Sequence, residues 1–232
     1  MFMSILKFLQ KLLTRIGIYV YKKPAKFYYE LENEIKNNLV KKAKGVLHIG
    51  AHFGQESSYY FQNGLKVIWV EALPDIFEKL QSDISRYENQ IAFCALVGDR
   101  NVNNTDFFIS NNNGSASSVY RISEKSNFTN VNNEKRIKLP MVRIDNLLSK
   151  IDMSLFTHWV LDVQGAELLV LQGAGDLILH CKSITVEVSS RETYLGGVKY
   201  VELKEYLAAL SFFPLWEPME DEHTDISFIR LY

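Results

Sequence analysis

Cysteine and proline are scarce in this chain of 232 residues, at two and five. Cys94 and Cys181 both fall in apolar segments, and neither has neighbouring Cys or His at metal-ligand spacing. That pattern excludes a zinc module and reads as two reduced core residues. A divalent-metal reaction needs a cluster of carboxylates and Asn, and none assembles from the sequence, so no metal ligand is expected. Long apolar runs are missing too. The apolar positions near the start are interrupted by charge every few residues, unlike a signal-peptide core or a bilayer span. Nor is there a bulk excess of one charge: 26 Lys and Arg stand against 27 acids, for a net −1. No nucleic-acid partner is expected. What is plentiful is core material, 47% hydrophobic and 12% aromatic, enough for one α/β domain with an extension.

The positive charge is local. Residues 1–44 hold ten Lys or Arg and three acids, leaving the remainder at −8. Phe2, Ile5, Leu6, Leu9, Leu12, Leu13 and Ile16 recur at helical spacing, with Lys7, Lys11 and Arg15 opposite them. This is a basic amphipathic helix, broken at Pro24 and resumed from Phe27 to Val40. It suits an anionic membrane surface or packing against another protomer. Phe8, Tyr19, Tyr21, Phe27, Tyr28 and Tyr29 widen the apolar face and favour protein packing. The division expected is a helical extension at 1–44 and a main domain at 45–232 with an insertion at about 101–142.

The main domain is organised around Val46 to Glu71. Val46 to Ile49 reads as a strand, Gly50 to Gly54 as a tight turn of small residues, Gln55 to Asn63 as a helix, and Val67 to Val70 as a second strand. Glu71 follows Gly50 by 21 positions. At that spacing a carboxylate at the tip of the second strand can take both ribose hydroxyls of an adenosine-bearing cofactor. A dinucleotide turn needs a glycine where His52 stands, so a cofactor without phosphates, S-adenosylmethionine, is favoured over a nicotinamide dinucleotide.

Further along, Ile76, Phe77, Leu80 and Ile84 mark a helix, and Ile91 to Val97 a third strand ending at Gly98 and Asp99. Asp99 is either an acceptor for the adenine amino group or a solvated turn residue. Residues 101–139 are dense in Asn and Ser, with strands expected at Thr105 to Ile109, Ser117 to Tyr120 and Ile137 to Val142. Such length suggests a binding role. Arg143 to Leu148 reads as a helix and Trp159 to Val163 as the fourth core strand. Asp162 stands at its carboxyl end, facing the same crevice as Gly50, where it can hold the cofactor's ammonium or accept a proton from a substrate hydroxyl. Glu167 opens the next helix and is either a site residue or a favourable charge at the helix start. Ile184 to Val188 is the fifth strand, with Glu187 near its end. A helix over Tyr200 to Leu210 and an antiparallel pair, Phe212 to Trp216 with Ile226 to Leu231, complete a seven-stranded sheet.

The strings VLHIGAHFGQES, VEALP, SNNNGSASS, LDVQGAE and VEVSSRETY, in this order, resemble the FkbM family of S-adenosylmethionine-dependent methyltransferases over about residues 44–231. The resemblance implies a class I methyltransferase fold, a Rossmann-like doubly wound sheet, mostly parallel with an antiparallel last strand. It implies O-methylation of a hydroxyl on a sugar, glycan or related natural product. It maps Gly50, Ala51, His52, Gly54, Glu71 and Asp162 onto the cofactor site, and His48, Ala72, Asp99 and Gln164 complete the expected set. His48 stands where many methyltransferases carry an acid, and His52 replaces a glycine or asparagine. Expected on the acceptor side are Ser115, Ser117, Ser118, Glu167, Glu187 and Arg191.

Methyl transfer from a sulfonium asks for an aligned oxygen, exclusion of water and one base. Asp162 is the candidate base, with Glu187 and His52 behind it. The rival readings are a noncatalytic binding protein on the same scaffold and a nicotinamide-dependent oxidoreductase. The location expected is cytoplasmic, at the inner face of the membrane if residues 1–40 reach lipid.

Overall fold

A computed structural model describes residues 25–218 and 223–231. The amphipathic helix expected before Pro24 lies outside the described residues. The described residues divide into two units between Asn38 and Leu39. Helix α1, Ala25–Lys42, covers the expected second helix. Val40, near the end of α1, is buried in one core cluster with Val46, Tyr60 and Val67. Among the described residues no helix is long and apolar enough to cross a membrane.

The larger unit runs β1 (Gly45–Ile49), α2 (Ser57–Gln62), β2 (Lys66–Glu71), α3 (Pro74–Ile84), β3 (Gln90–Cys94), β4 (Leu96–Gly98), β5 (Val102–Ser110), β6 (Asn133–Arg143) and α4 (Ile144–Leu147). It continues with β7 (His158–Leu161), α5 (Glu167–Gln172), β8 (Ser183–Ser189), α6 (Tyr200–Ala209), β9 (Phe212–Pro214) and β10 (His223–Arg230). Seven strands form one sheet in the order β3-β2-β1-β7-β8-β10-β9, in which only β10 runs against the rest. The order reverses between β1 and β7, the point at which connections leave to opposite faces and open a crevice above the strand ends.

All five residues of β1 are buried because strands flank it on both sides and clusters cover both faces. Leu47 and Ile49 pack with Ile68, Trp159, Leu161 and Ile184, whereas Val46 packs with Val67, Trp69 and Leu80 on the other face. Pro74 at the first turn of α3 has the fixed backbone angle a helix start favours, and Ile76, Leu80 and Ile84 bury one stripe of that helix.

Three local expectations are corrected. The single strand over Ile91 to Val97 is two: β3 pairs with β2, the chain turns at Ala95, and β4 joins β6 and β5 in a separate three-stranded sheet. The strand expected at Ser117 to Tyr120 is only a bridge from Ser118 to Phe108. Cys181 is buried, but Cys94 is exposed because it ends β3, an edge strand of the main sheet.

The smaller sheet meets the end of α5 at a glycine contact. A Cβ on Gly173 would stand 2.0 Å from the carbonyl oxygen of Gly98, a backbone atom that cannot swing aside. Gly173→Ala is therefore expected to lower unfolding stability by about 1–3 kcal/mol, the usual cost of overpacking. Denaturant titration followed by tryptophan fluorescence checks this.

Candidate active site

At the switch point lies a cavity of about 260 Å³. Its floor is the turn after β1, its sides are the tips of β2 and β7 and the Ala95 to Val97 segment, and Phe107, Gly114, Ser115, Ser117 and Val119 of the insertion close it. Gly50 has φ +82°, and a Cβ there would meet the Asp162 carbonyl oxygen at 1.8 Å. Glycine is thus required both for the backbone angle and for the approach of β1 to β7. A valine here would disrupt that junction as well as any cofactor, so Gly50→Val is not a clean probe of binding.

Glu71, nearly buried at the tip of β2, accepts the His52 N–H on Oε2 at 2.9 Å and the Leu73 N–H on Oε1 at 2.8 Å. Burial pushes its carboxyl above the usual range, while those amides pull the other way. Each oxygen keeps one further acceptor site. His52 (φ +47°) is braced from two sides, by the Gln55 amide against Nδ1 at 3.0 Å and the Asn113 carbonyl against Nε2 at 3.0 Å. Nε2 therefore carries the proton and Nδ1 accepts, and this contact ties the insertion to the turn. His48 stacks on Trp69 at 4.8 Å, and burial brings its pKa down to about 4, so it is neutral.

On the opposite wall an acidic group is gathered around one amide. Gln164 donates through Nε2 to Asp162 Oδ1 and to Glu187 Oε2, the latter at 2.6 Å, and accepts the Tyr194 hydroxyl on Oε1. Glu187 is also 3.0 Å from His223 Nε2, and that bond raises the imidazole's pKa. Burial and the neighbouring Glu187 hold Asp162 well above the carboxylate range. Glu167, 2% exposed, accepts the amides of Val163 and Gly165 at 3.2 and 3.0 Å, yet burial lifts it to about 7.

Of the expected cofactor residues, His48, Gly50, Ala51, His52, Glu71, Ala72, Asp162 and Gln164 line this one cavity. Gly54 and Asp99 do not. Gly54 (φ +67°) packs where a Cβ would touch Leu80 at 2.5 Å. Asp99 pairs with Arg100 at 3.3 Å, and its carbonyl accepts from Arg143. Of the residues expected on the acceptor side, Ser115 and Ser117 line the same cavity as Glu71. Gly114 beside them sits where a Cβ would touch Ile76 and Leu73 at 2.8 and 3.2 Å, so this part of the insertion covers the Glu71 end. Ser118 is buried and its Oγ accepts the Tyr120 amide. Glu167, Glu187 and Arg191 border a small adjoining cleft with Tyr194 and His223. The sequence reading missed Glu56, Leu96, Phe107, Val119, Tyr194 and His223. Tyr194 lies within the quoted VEVSSRETY string, but nothing in the spacing of Phe107 or His223 marks them.

Two outcomes follow from these bonds. Glu71→Ala strands two backbone donors as well as deleting an acceptor, so it should cost about 1–3 kcal/mol of unfolding stability before any ligand is added, read by denaturant melts. For Glu167 the folded pKa lies above the unfolded one, so the protonated fold is favoured. Its contribution is complete below the unfolded pKa and is lost as pH rises toward about 7. Glu167→Gln should retain up to about 3 kcal/mol of stability that the parent loses between pH 5 and pH 8, seen in melts at those two values.

Comparison with known proteins gives a family match and a set of fold likenesses. The chain is similar to magnesium protoporphyrin IX methyltransferase of Synechocystis PCC 6803 with bound SAM, at 10% identity and TM-score 0.46 over 89% of this chain and 79% of that one. An rRNA methylase of Streptococcus thermophilus aligns at 9% identity and TM-score 0.49 over 92% of this chain and 100% of that one. Aeropyrum pernix fibrillarin with natively bound S-adenosyl-L-methionine aligns at 12% identity and TM-score 0.47 over 84% and 74%. No curated protein matches the sequence. The model of the methyltransferase FkbM domain matches residues 48–214, well over half of the chain, and covers every element that lines the cavity. The chain belongs to the FkbM methyltransferase family.

Proposed function

We propose that this protein is an S-adenosylmethionine-dependent O-methyltransferase acting on a hydroxyl of a sugar, glycan or related natural product. The observation that carries the cofactor reading is the charge of the cavity. Glu56, Glu71 and Asp162 line it, and among the described lining residues there is no Lys or Arg. A pyrophosphate would face three acids there, whereas a cationic cofactor finds its counter-charge. When bound, S-adenosylmethionine supplies an electrophilic methyl group on a sulfonium.

The residues divide the remaining work. Glu71, with one acceptor site open on each oxygen, takes two vicinal hydroxyls while its other lone pairs stay on the amides of His52 and Leu73. Leu73, Leu96, Phe107 and Val119 give apolar walls that suit a flat base and exclude water. Asp162 is the proposed base. Its burial gives it an unusually high proton affinity for a carboxylate, and a nearby cation returns it to the ionised form that accepts a proton at a carboxylate oxygen. Glu187 and Arg191, beside the cleft that adjoins Asp162, are the proposed contacts to the acceptor. A cytoplasmic place of action, with residues 1–40 meeting lipid or a second copy, belongs to the same proposal.

Calorimetric titration with S-adenosylmethionine and with a nicotinamide dinucleotide tests the cofactor. Saturable binding of the first and none of the second is expected. Binding of neither would favour a scaffold protein, and binding of the second alone an oxidoreductase. For the acceptor, untargeted mass spectrometry of glycans and lipids from cells lacking the protein should find a product lighter by one methylene.

A further inference from the structure

Gln164 is held in the left-handed region at φ +58°, a backbone state that a residue other than glycine keeps only when its surroundings enforce it. Its carboxamide has two possible faces. One presents two N–H donors to Asp162 and Glu187, and the other presents a carbonyl oxygen that an ionised carboxylate would repel. The carboxylates alone cannot fix this choice at every protonation state, because a protonated carboxyl can donate to the flipped amide.

Tyr194 biases it. Its hydroxyl donates to Gln164 Oε1, whereas a flipped amide would leave that hydroxyl to donate only to the Ala116 carbonyl of the insertion, at 3.4 Å. The ring occupies a slot that two glycines keep open. A Cβ on Gly165 would meet it at 3.1 Å, and one on Gly197 would meet its Cβ at 3.0 Å. Burial, with Glu187, Glu167 and Asp162 nearby, pushes the phenol above its ordinary range, so it remains a donor.

We propose that Tyr194 is a positioning residue, whose hydroxyl turns the Gln164 carboxamide so that both of its N–H bonds hold Asp162 and Glu187 as acceptors. For methyl transfer this matters because Asp162 takes a proton only if it starts ionised, a role that rests on the methyltransferase reading above. The groups that face the pair are Glu167 from α5, and Asp225 and His223 from β10; His223 is bonded to Glu187. Glu167 and Asp225 are acids, His223 and Arg191 border Glu187 in the adjoining cleft, and at Asp162 itself the Gln164 N–H on Oδ1 opposes the repulsion.

The test is a carboxyl carbon-13 NMR titration of Asp162 and Glu187 in the full, ligand-free chain. Tyr194→Phe keeps the ring in its slot and removes only the hydroxyl. It should move the Asp162 midpoint up by about one pH unit, a tenfold rise in proton affinity. Gln164→Met should give the same rise, and adding Tyr194→Phe to it should add nothing. A Tyr194→Phe variant that melts earlier but titrates like the parent would overturn the proposal, as would an additive double variant. Should Tyr194→Phe not fold, an unchanged midpoint in Gln164→Met overturns it equally. Calorimetry with S-adenosylmethionine across pH separates the two readings. The pH below which binding fades should rise with the midpoint, and a parent that binds none at any pH would sink the cofactor reading while the titrations still decide the role of Tyr194.

Discussion

At Gly50 the end of β1 passes so near Asp162 that no side chain fits between them, and this approach sets the geometry of the whole carboxyl edge of the sheet. The Asp162 amide donates to the Ile49 carbonyl at 2.9 Å, closing the pairing of β1 with β7, while the Gly50 amide turns to the Val70 carbonyl on the other side. The chain then leaves the sheet at once. That exit brings the His52 amide onto Glu71 and leaves a crevice whose two walls, Glu71 and Asp162, are both acidic. A bulkier residue would part β1 from β7 and separate the walls that a ligand must bridge.

Burial is the second constraint, and it acts on charge. Asp162, Glu167 and Glu71 are each pushed toward the protonated form by loss of water, and each is pulled back by N–H donors. At Glu71 and Glu167 those donors are backbone amides, among them His52, Leu73, Val163 and Gly165, and at Asp162 the donor is the Gln164 side chain. Fixed backbone dipoles cost no side-chain entropy, so most of the acidic site is held by the turns themselves. The exception is the amide shared by Asp162 and Glu187, and it is there that a second side chain, Tyr194, is needed.

The parallel core was legible because its strands are short branched-apolar runs punctuated by glycine, and because Glu71 and Asp162 fall at strand tips that the spacing locates. The mostly parallel seven-stranded sheet with its antiparallel last strand, and the crevice shared by Gly50, Glu71 and Asp162, came from that pattern. Two things were hidden. The turn at Ala95 leaves no mark in QIAFCALVG, which is apolar from Ile91 to Val97, so a strand that changes sheets looks like one that continues. The contacts of the insertion are long-range, as with Asn113 on His52 and Tyr194 near Ala116, and no local periodicity encodes them. That is why the length of the Asn and Ser segment could suggest a binding role, while the packing of Gly114 at Leu73 and Ile76 could not be read from it.

The placement of that segment has a kinetic meaning. The cavity is floored by strand ends and roofed by the connection between β5 and β6, and that roof meets the His52 ring through the Asn113 carbonyl and Tyr194 through the Ala116 carbonyl, with apolar packing beside them. A ligand seated against Glu71 lies under this roof, where Gly114 packs against Leu73 and Ile76. These are contacts of ordinary strength, so how readily a cofactor enters and leaves depends on a peripheral loop as well as on the groups that meet the reacting atoms.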